Sequence, residues 1–183
     1  AIVLPKTESG PETEAVLQIR EVGISPRSET PLGLANVRQI ACAKQVIALM
    51  FGTIDFQLEM NMNGGYLELL SFRNEFVLAS KLAGIQAPID GVTVDFKDEA
   101  MIQLETQQAK NLGFAGKLCI HPHQVDIVNQ IFSPTTVEID WANRVLNVVK
   151  QANGQAVSLD GKMIDLPVIL RAERILQHID FNL

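Results

Sequence analysis

Two carboxylates close apolar runs in this chain. Glu29 follows the extended piece that begins at Ile24, and Asp55 follows Val46-Ile47-Ala48-Leu49-Met50-Phe51 and its Gly52-Thr53-Ile54 turn. In parallel α/β proteins, chemistry gathers at the C-terminal ends of strands. A carboxylate pair there, completed by water and substrate oxygens, suits Mg²⁺, a hard cation that takes oxygen ligands. The plainer alternative is that each acid caps the helix that follows it. Spacing alone favours the plainer one.

Other polar residues sit at similar positions. Lys6, Thr7 and Glu8 close the first apolar run, and Asp90-Gly91 marks a fourth. Lys117, in Gly116-Lys117, has the charge to hold a phosphate. Gly113-Phe114-Ala115-Gly116-Lys117-Leu118 lacks the phosphate-loop spacing, so a nucleoside triphosphatase is not supported. His121-Pro122-His123 has no further ligands at metal-binding intervals and reads as packed loop histidines. Asp160-Gly161-Lys162-Met163-Ile164-Asp165 reads as a solvated turn.

These residues need a scaffold, and the pattern supplies one. Apolar runs at 2–4, 24–29, 46–51, 89–94 and 118–120 predict strands. Helical spacing over 12–20, 35–43, 72–82 and 98–112 fills the intervals, with Gly84 and Gly113 as stops. Met101, Leu104 and Leu112 are expected to share the buried face of the last of these. Apolar strands alternating with helices predict an α/β protein with parallel strands. An open doubly wound sheet and a (β/α)₈ barrel both fit. After Ile120 the alternation stops. Helices over 125–132, 137–151 and 168–179 then form a tail, with Asn153-Gly154 opening a loop to Pro167.

The 183 residues carry a net charge of −6 with 47% hydrophobic residues, which excludes a disordered chain. That charge argues against a nucleic-acid-binding surface. No apolar run is long enough to span a membrane. Cys42 and Cys119 sit in apolar runs and are expected to be buried reduced thiols, as in a cytoplasmic protein. No secretory signal is visible.

Six segments in order carry a resemblance. They are Leu4-Pro5-Lys6-Thr7-Glu8-Ser9, Glu29-Thr30-Pro31-Leu32-Gly33-Leu34-Ala35-Asn36, Ala48–Phe56, Pro88-Ile89-Asp90-Gly91-Val92, Gly116–Pro122 and Asp160–Asp165. Together they resemble the citrate lyase beta-subunit-like family of the HpcH/HpaI aldolase superfamily. The resemblance implies a TIM (β/α)₈ barrel with a C-terminal helical extension, commonly assembled as a homotrimer. It implies a lyase that breaks C–C bonds in 3-hydroxyacyl-CoA thioesters, giving acetyl-CoA and an α-keto acid. Citramalyl-CoA is the leading substrate. The family's Mg²⁺ ligands map onto Glu29 and Asp55, and a catalytic acid from a neighbouring subunit's tail maps onto Asp165. Lys6 is expected beside the metal carboxylates or the substrate, and Glu8 is expected to pair with a cation. Phe51 and Gly52 bring backbone close to the ligand, and Lys117 is expected to contact the acyl-CoA.

On this resemblance residues 1–123 form the C-terminal part of the barrel and 124–183 the extension and lid loop. The chain starts at what resembles the fourth barrel strand, so the expectation is a fragment holding five of eight strands. A further departure is Pro26-Arg27-Ser28 before Glu29, which predicts a short or distorted second strand. Two alternatives stay open: the beta subunit of a citrate lyase acting on a citryl carrier-protein thioester, and a non-catalytic fragment.

Overall fold

The computed structural model describes residues 1–19, 21–152 and 157–180. They fall into two compact units, Ala1–Phe132 and Ser133–Leu183. The first unit carries five parallel strands, β1 (Ile2–Leu4), β2 (Ile24–Ser28), β3 (Met50–Phe51), β4 (Ile89–Asp90) and β5 (Gly116–Lys117). Their spatial order is β1-β2-β3-β4-β5, so each strand pairs with its sequence neighbour. A doubly wound sheet reverses its strand order at a switch point. This one never does, which is the winding of consecutive strands in a (β/α)₈ barrel. The fold class is α/β of the barrel type.

The helices between the strands are α1 (Gly10–Ala15), α2 (Pro31–Ala35), α3 (Val37–Ala41), α4 (Thr53–Glu59), α5 (Leu70–Ala83) and α6 (Glu99–Leu112), with α7 (His123–Phe132) after β5. Gly84 and Gly113 end α5 and α6 at φ 70° and 101°, backbone that glycine reaches without strain. The helix expected over 12–20 is shorter: α1 passes into a 3₁₀ turn at Val16–Gln18. Arg20 lies outside the described residues. The helix expected over 35–43 is α3, shortened to Val37–Ala41, and a separate short helix, α2, precedes it across Asn36.

Strand β2 is not short. Its five residues make it the longest in the sheet. The expected disruption appears on its neighbour instead. Ile24 bridges Val46, but Arg27 pairs with Met50. The partners advance three positions along β2 and four along the 46–51 run, so one extra residue bulges out opposite Pro26. Proline has no N–H for the ladder, and a bulge is where a sheet tolerates it. The strand expected over 46–51 is therefore reduced to Met50–Phe51.

The core of this unit gathers Val37, Ile40, Leu49, Phe51, Phe56 and Phe76. Phe51 stacks on Phe76 at 4.6 Å and meets Phe56 edge-on at 5.4 Å. Such ring pairs add about 0.5–1.5 kcal/mol beyond the area they bury. The buried face of α6 is Ile102, Thr106 and Ala109, whereas Met101 and Leu104 are exposed. Thr106 donates its hydroxyl to the Ile102 carbonyl, so a polar residue sits inside at no hydrogen-bonding cost. Large apolar residues alone therefore gave the wrong phase for this helix.

The 118–120 run is not a buried strand. β5 ends at Lys117 and Ile120 is 55% exposed. Both cysteines are exposed, Cys42 at the C-terminal cap of α3 and Cys119 just past β5. Partial burial pushes the Cys119 thiol up from its ordinary value, outweighing the pull of Lys117. The thiolate is the reactive form, and a raised pKa leaves less of it at neutral pH. Native protein titrated with a chromogenic disulfide should therefore release two equivalents, Cys42 first. The slower phase should speed up as pH rises and vanish in a Cys119→Ser variant.

The second unit contains α8 (Thr136–Gln151), an antiparallel hairpin of β6 (Val157–Leu159) and β7 (Lys162–Ile164), and α9 (Leu166–Asp180). Asp160 and Gly161 form its two-residue turn at φ 51° and 74°, the turn geometry that suits a hairpin's twist. Asn153-Gly154 lies outside the described residues. The 123/124 boundary expected from the resemblance falls at the start of α7, which groups with the first unit. A capping box at Thr135 and Glu138 starts α8. Ala142, Val145, Ile164 and Ala172 form this unit's own core. Among the described residues no helix is long and apolar enough to cross a membrane.

Candidate functional site

Glu29 follows β2 directly and is 2% exposed. It does not cap α2. Thr30 does that, its hydroxyl accepting the Gly33 N–H at 3.0 Å. Instead the Glu29 carboxylate is gripped from its own side of the sheet. Its Oε1 accepts the Lys6 backbone N–H at 2.9 Å and Arg27 Nη2 at 3.2 Å, and Oε2 lies 2.7 Å from Arg27 Nε. Arg27 is the penultimate residue of β2 and Glu29 stands just past the strand's end, two residues on.

Asp55 lies in the first turn of α4, where backbone N–H groups favour negative charge. It is exposed, and the N-cap itself is Gly52, without a side-chain cap. Arg27, Glu29, Phe51, Gly52 and Asp55 line one cavity of about 130 Å³. Its apolar walls are Ile54, Val92 and Leu118. The cavity opens at the C-terminal ends of β2, β3 and β4, where a barrel carries its chemistry. Glu29 and Asp55 offer two hard oxygen donors. Among the described residues no group of three or more His, Cys, Asp or Glu residues gathers to hold a metal, so further ligands there would be water or substrate.

Two glycines lock the strand ends together. A Cβ on Gly52 would run into the Glu29 Cβ and lie 2.6 Å from Oε2. A Cβ on Gly91 would coincide with the Thr53 hydroxyl, at the first residue of α4. Each chain crossing needs a residue without a side chain. Gly91 is held in turn by Lys117, whose Nζ donates to its carbonyl at 2.8 Å.

Behind this row lies a buried charge cluster. Asp90, the last residue of β4, is fully buried. Arg73 Nε donates to its Oδ1 at 2.8 Å, and Lys117 Nζ stands 3.6 Å from its Oδ2 and 3.6 Å from Glu105. Tyr66 lies over the Arg73 guanidinium at 4.4 Å. Burial pushes the Tyr66 phenol up to about 12.

The structure thus brings Glu29, Asp55, Phe51 and Gly52 to one cavity. Lys6 joins them through its backbone, at a left-handed φ of 50°, while its side chain is exposed. Among the described residues Glu8 pairs with no cation; it accepts the Thr30 hydroxyl at 2.8 Å. Lys117 is buried, with its ammonium turned to Gly91, Asp90 and Glu105 rather than to the cavity. His121 stacks on Phe96 at 4.5 Å and His123, the first residue of α7, meets Glu99 at 3.1 Å; both are exposed, so neither is the packed loop residue expected. Asp165, in the second unit, accepts the Val168 N–H at 3.2 Å and so caps α9. Sequence reasoning missed Arg27 as a site residue, although its place two residues before Glu29 on a strand was the available signal.

Residues 1–122 match the family model described as HpcH/HpaI aldolase/citrate lyase. A citrate lyase subunit beta-like protein of Deinococcus radiodurans is 32% identical over 97% of this chain and 66% of its own length. A (3S)-malyl-CoA thioesterase of Cereibacter sphaeroides is 33% identical over 96% of this chain and 63% of its own. The chain therefore spans just under two thirds of the length of these curated relatives. Among solved structures, the CitE protein of Mycobacterium tuberculosis in complex with magnesium, acetoacetate and coenzyme A superposes with a TM-score of 0.82. It is 26% identical, with 97% of this chain and 67% of that one covered.

Proposed function

The chain belongs to the HpcH/HpaI aldolase/citrate lyase family, and from that premise we propose that it serves a Mg²⁺-dependent carbon–carbon lyase acting on a 3-hydroxyacyl-CoA thioester. The observation that carries this reading is the shared cavity of Glu29 and Asp55 at neighbouring strand ends. The CitE protein, which binds magnesium and coenzyme A, supports it. Citramalyl-CoA, yielding acetyl-CoA and pyruvate, is the substrate proposed first.

The donor set fits the ion. Both side chains are carboxylates, and Oε1 of Glu29 already accepts two hydrogen bonds while Oε2 accepts none with good alignment. Oε2 is thus the atom of Glu29 that would hold the metal, with Asp55 as its partner. When bound, the ion supplies Lewis-acid polarisation of the substrate's hydroxyl and adjacent carboxylate. The chain's own residues do the rest. Glu29 is immobilised by Gly52 and the Lys6 backbone N–H, so it needs no reorganisation during reaction. Ile54, Val92 and Leu118 line the cavity with apolar surface and limit water around the thioester.

With the hydroxyl proton passed to solvent water, the C–C electron pair moves into the thioester and the bond breaks, giving a keto acid and a thioester enolate. The enolate carbon then takes a proton, and Asp165 of a neighbouring subunit in a trimer is the proposed donor. Its place at the N-terminus of α9 fixes the carboxyl's position.

The test is a panel of 3-hydroxyacyl-CoA thioesters assayed with Mg²⁺ and with chelator. Keto acid and acetyl-CoA released only with Mg²⁺ support the reading. Mg²⁺-independent turnover, or thioester hydrolysis without C–C cleavage, would overturn it. Activity only on a citryl carrier-protein thioester would replace it with a citrate lyase beta subunit. Asp165 acting across subunits makes a separate forecast. Mixed Asp55→Ala and Asp165→Ala protomers should recover part of the activity that each lacks alone, since some sites in the mixture are intact. No recovery from an exchanged mixture would place the donor within one subunit.

A further inference from the structure

Arg27 carries a consequence beyond the lyase reading, though one that rests on its metal site. It is the cation already seated on the carboxylate that the metal needs. The fit is uneven. Nη2 makes a hydrogen bond to Oε1 at 3.2 Å, but Nε, 2.7 Å from Oε2, is out of line for one and is a buried polar atom without a hydrogen-bond partner. The two partners also differ in freedom. Glu29 is 2% exposed and packed against Gly52, so it cannot swing away. The Arg27 side chain is 35% exposed and lines the same cavity as Asp55, so its guanidinium has somewhere to go.

We propose that Arg27 is the resident counter-ion of this site and exchanges with the divalent metal on Glu29. A buried carboxylate without a cation is costly, so the pair holds Glu29 in place while the metal is absent. A divalent ion takes Oε2, and the guanidinium moves into the cavity with its charge free. Two cations competing for one oxygen have linked affinities: whatever the pair contributes to the metal-free state is subtracted from metal binding.

The linkage fixes two effects of opposite sign for Arg27→Met. The metal-free protein loses stability, and Mn²⁺ binds about tenfold more tightly, the worth of one charged hydrogen bond given up. Arg27→Lys keeps the charge and should bind Mn²⁺ close to wild type. Mn²⁺ dissociation constants of the full chain, by electron paramagnetic resonance, read the effect without any assay of turnover. Affinity unchanged or weakened in Arg27→Met would overturn the exchange. Should that variant fail to fold without metal, the Nε–H resonance of Arg27 in wild type decides. It should shift on saturation with Mg²⁺, and an unmoved signal would overturn the exchange. The lyase reading fails separately. Wild type that binds Mn²⁺ and shifts the Arg27 signal, yet cleaves no 3-hydroxyacyl-CoA thioester, would overturn the lyase and leave the exchange standing. Mn²⁺ binding by neither wild type nor Arg27→Met would overturn both.

Discussion

Gly52→Ala should lose Mg²⁺-dependent turnover by on the order of a hundredfold or more while the protein stays folded. The added methyl meets the Glu29 Cβ, an atom fixed to the backbone of β2, and not the far end of a flexible chain. No rotamer change of Glu29 relieves that, so the ends of β2 and β3 must separate. Glu29 then retreats from Asp55, which follows Gly52 by three residues. A displacement near 1 Å at a reacting centre costs about 10²-fold. The same overpacking costs stability by only about 1–3 kcal/mol. Gly65→Ala is the control, because nothing lies within 4 Å of a Cβ there. Mn²⁺ affinity measured beside kcat/KM separates causes. If Gly52→Ala retains both, the glycine does not set the spacing of the two carboxylates.

The elements read correctly from sequence are those whose signals are local. Gly84 and Gly113 end helices because of their own φ, and Asp98 caps α6 through its own side chain. The nearness of Glu29 and Asp55 follows from their places after neighbouring strands, although their spacing alone favours helix caps and the metal role is implied only by the resemblance. The misses share a different cause. β3 is cut short by Pro26, a residue on another strand, so nothing within 46–51 announces it. The β6–β7 hairpin was hidden because Val157 and Ile164 pair only once the Asp160-Gly161 turn is made. Lys117 was misplaced because Gly116-Lys117 suggests a phosphate, while its partners Gly91, Asp90 and Glu105 lie far off in sequence. Arg27 reads from sequence as a disturbance of its strand, while the structure seats its guanidinium on the Glu29 carboxylate.

Asp90→Asn should be the most destabilising single exchange in the first unit. The aspartate is fully buried between two buried cations, Arg73 and Lys117, on different elements. Asparagine keeps the volume and removes the charge. It leaves an arginine and a lysine inside the protein with, among the described residues, Glu105 at 24% exposure as the one remaining carboxylate beside them. Removing one member of a buried ionic group costs about 3–5 kcal/mol, because the remaining charge loses its compensation but not its desolvation. At this size about 1 kcal/mol shifts a melting midpoint by roughly 2–4 °C, so a fall of about 10 °C is expected. Far-ultraviolet circular dichroism during heating would measure it. The double variant Asp90→Asn/Lys117→Met removes one of the stranded cations and should recover part of the loss. Recovery distinguishes a charge effect from a packing defect, since Lys117→Met also removes the Gly91 bond and would otherwise only add to the damage. A double variant less stable than Asp90→Asn alone would mean that the Lys117 contact with Gly91, not its charge balance with Asp90, dominates this cluster.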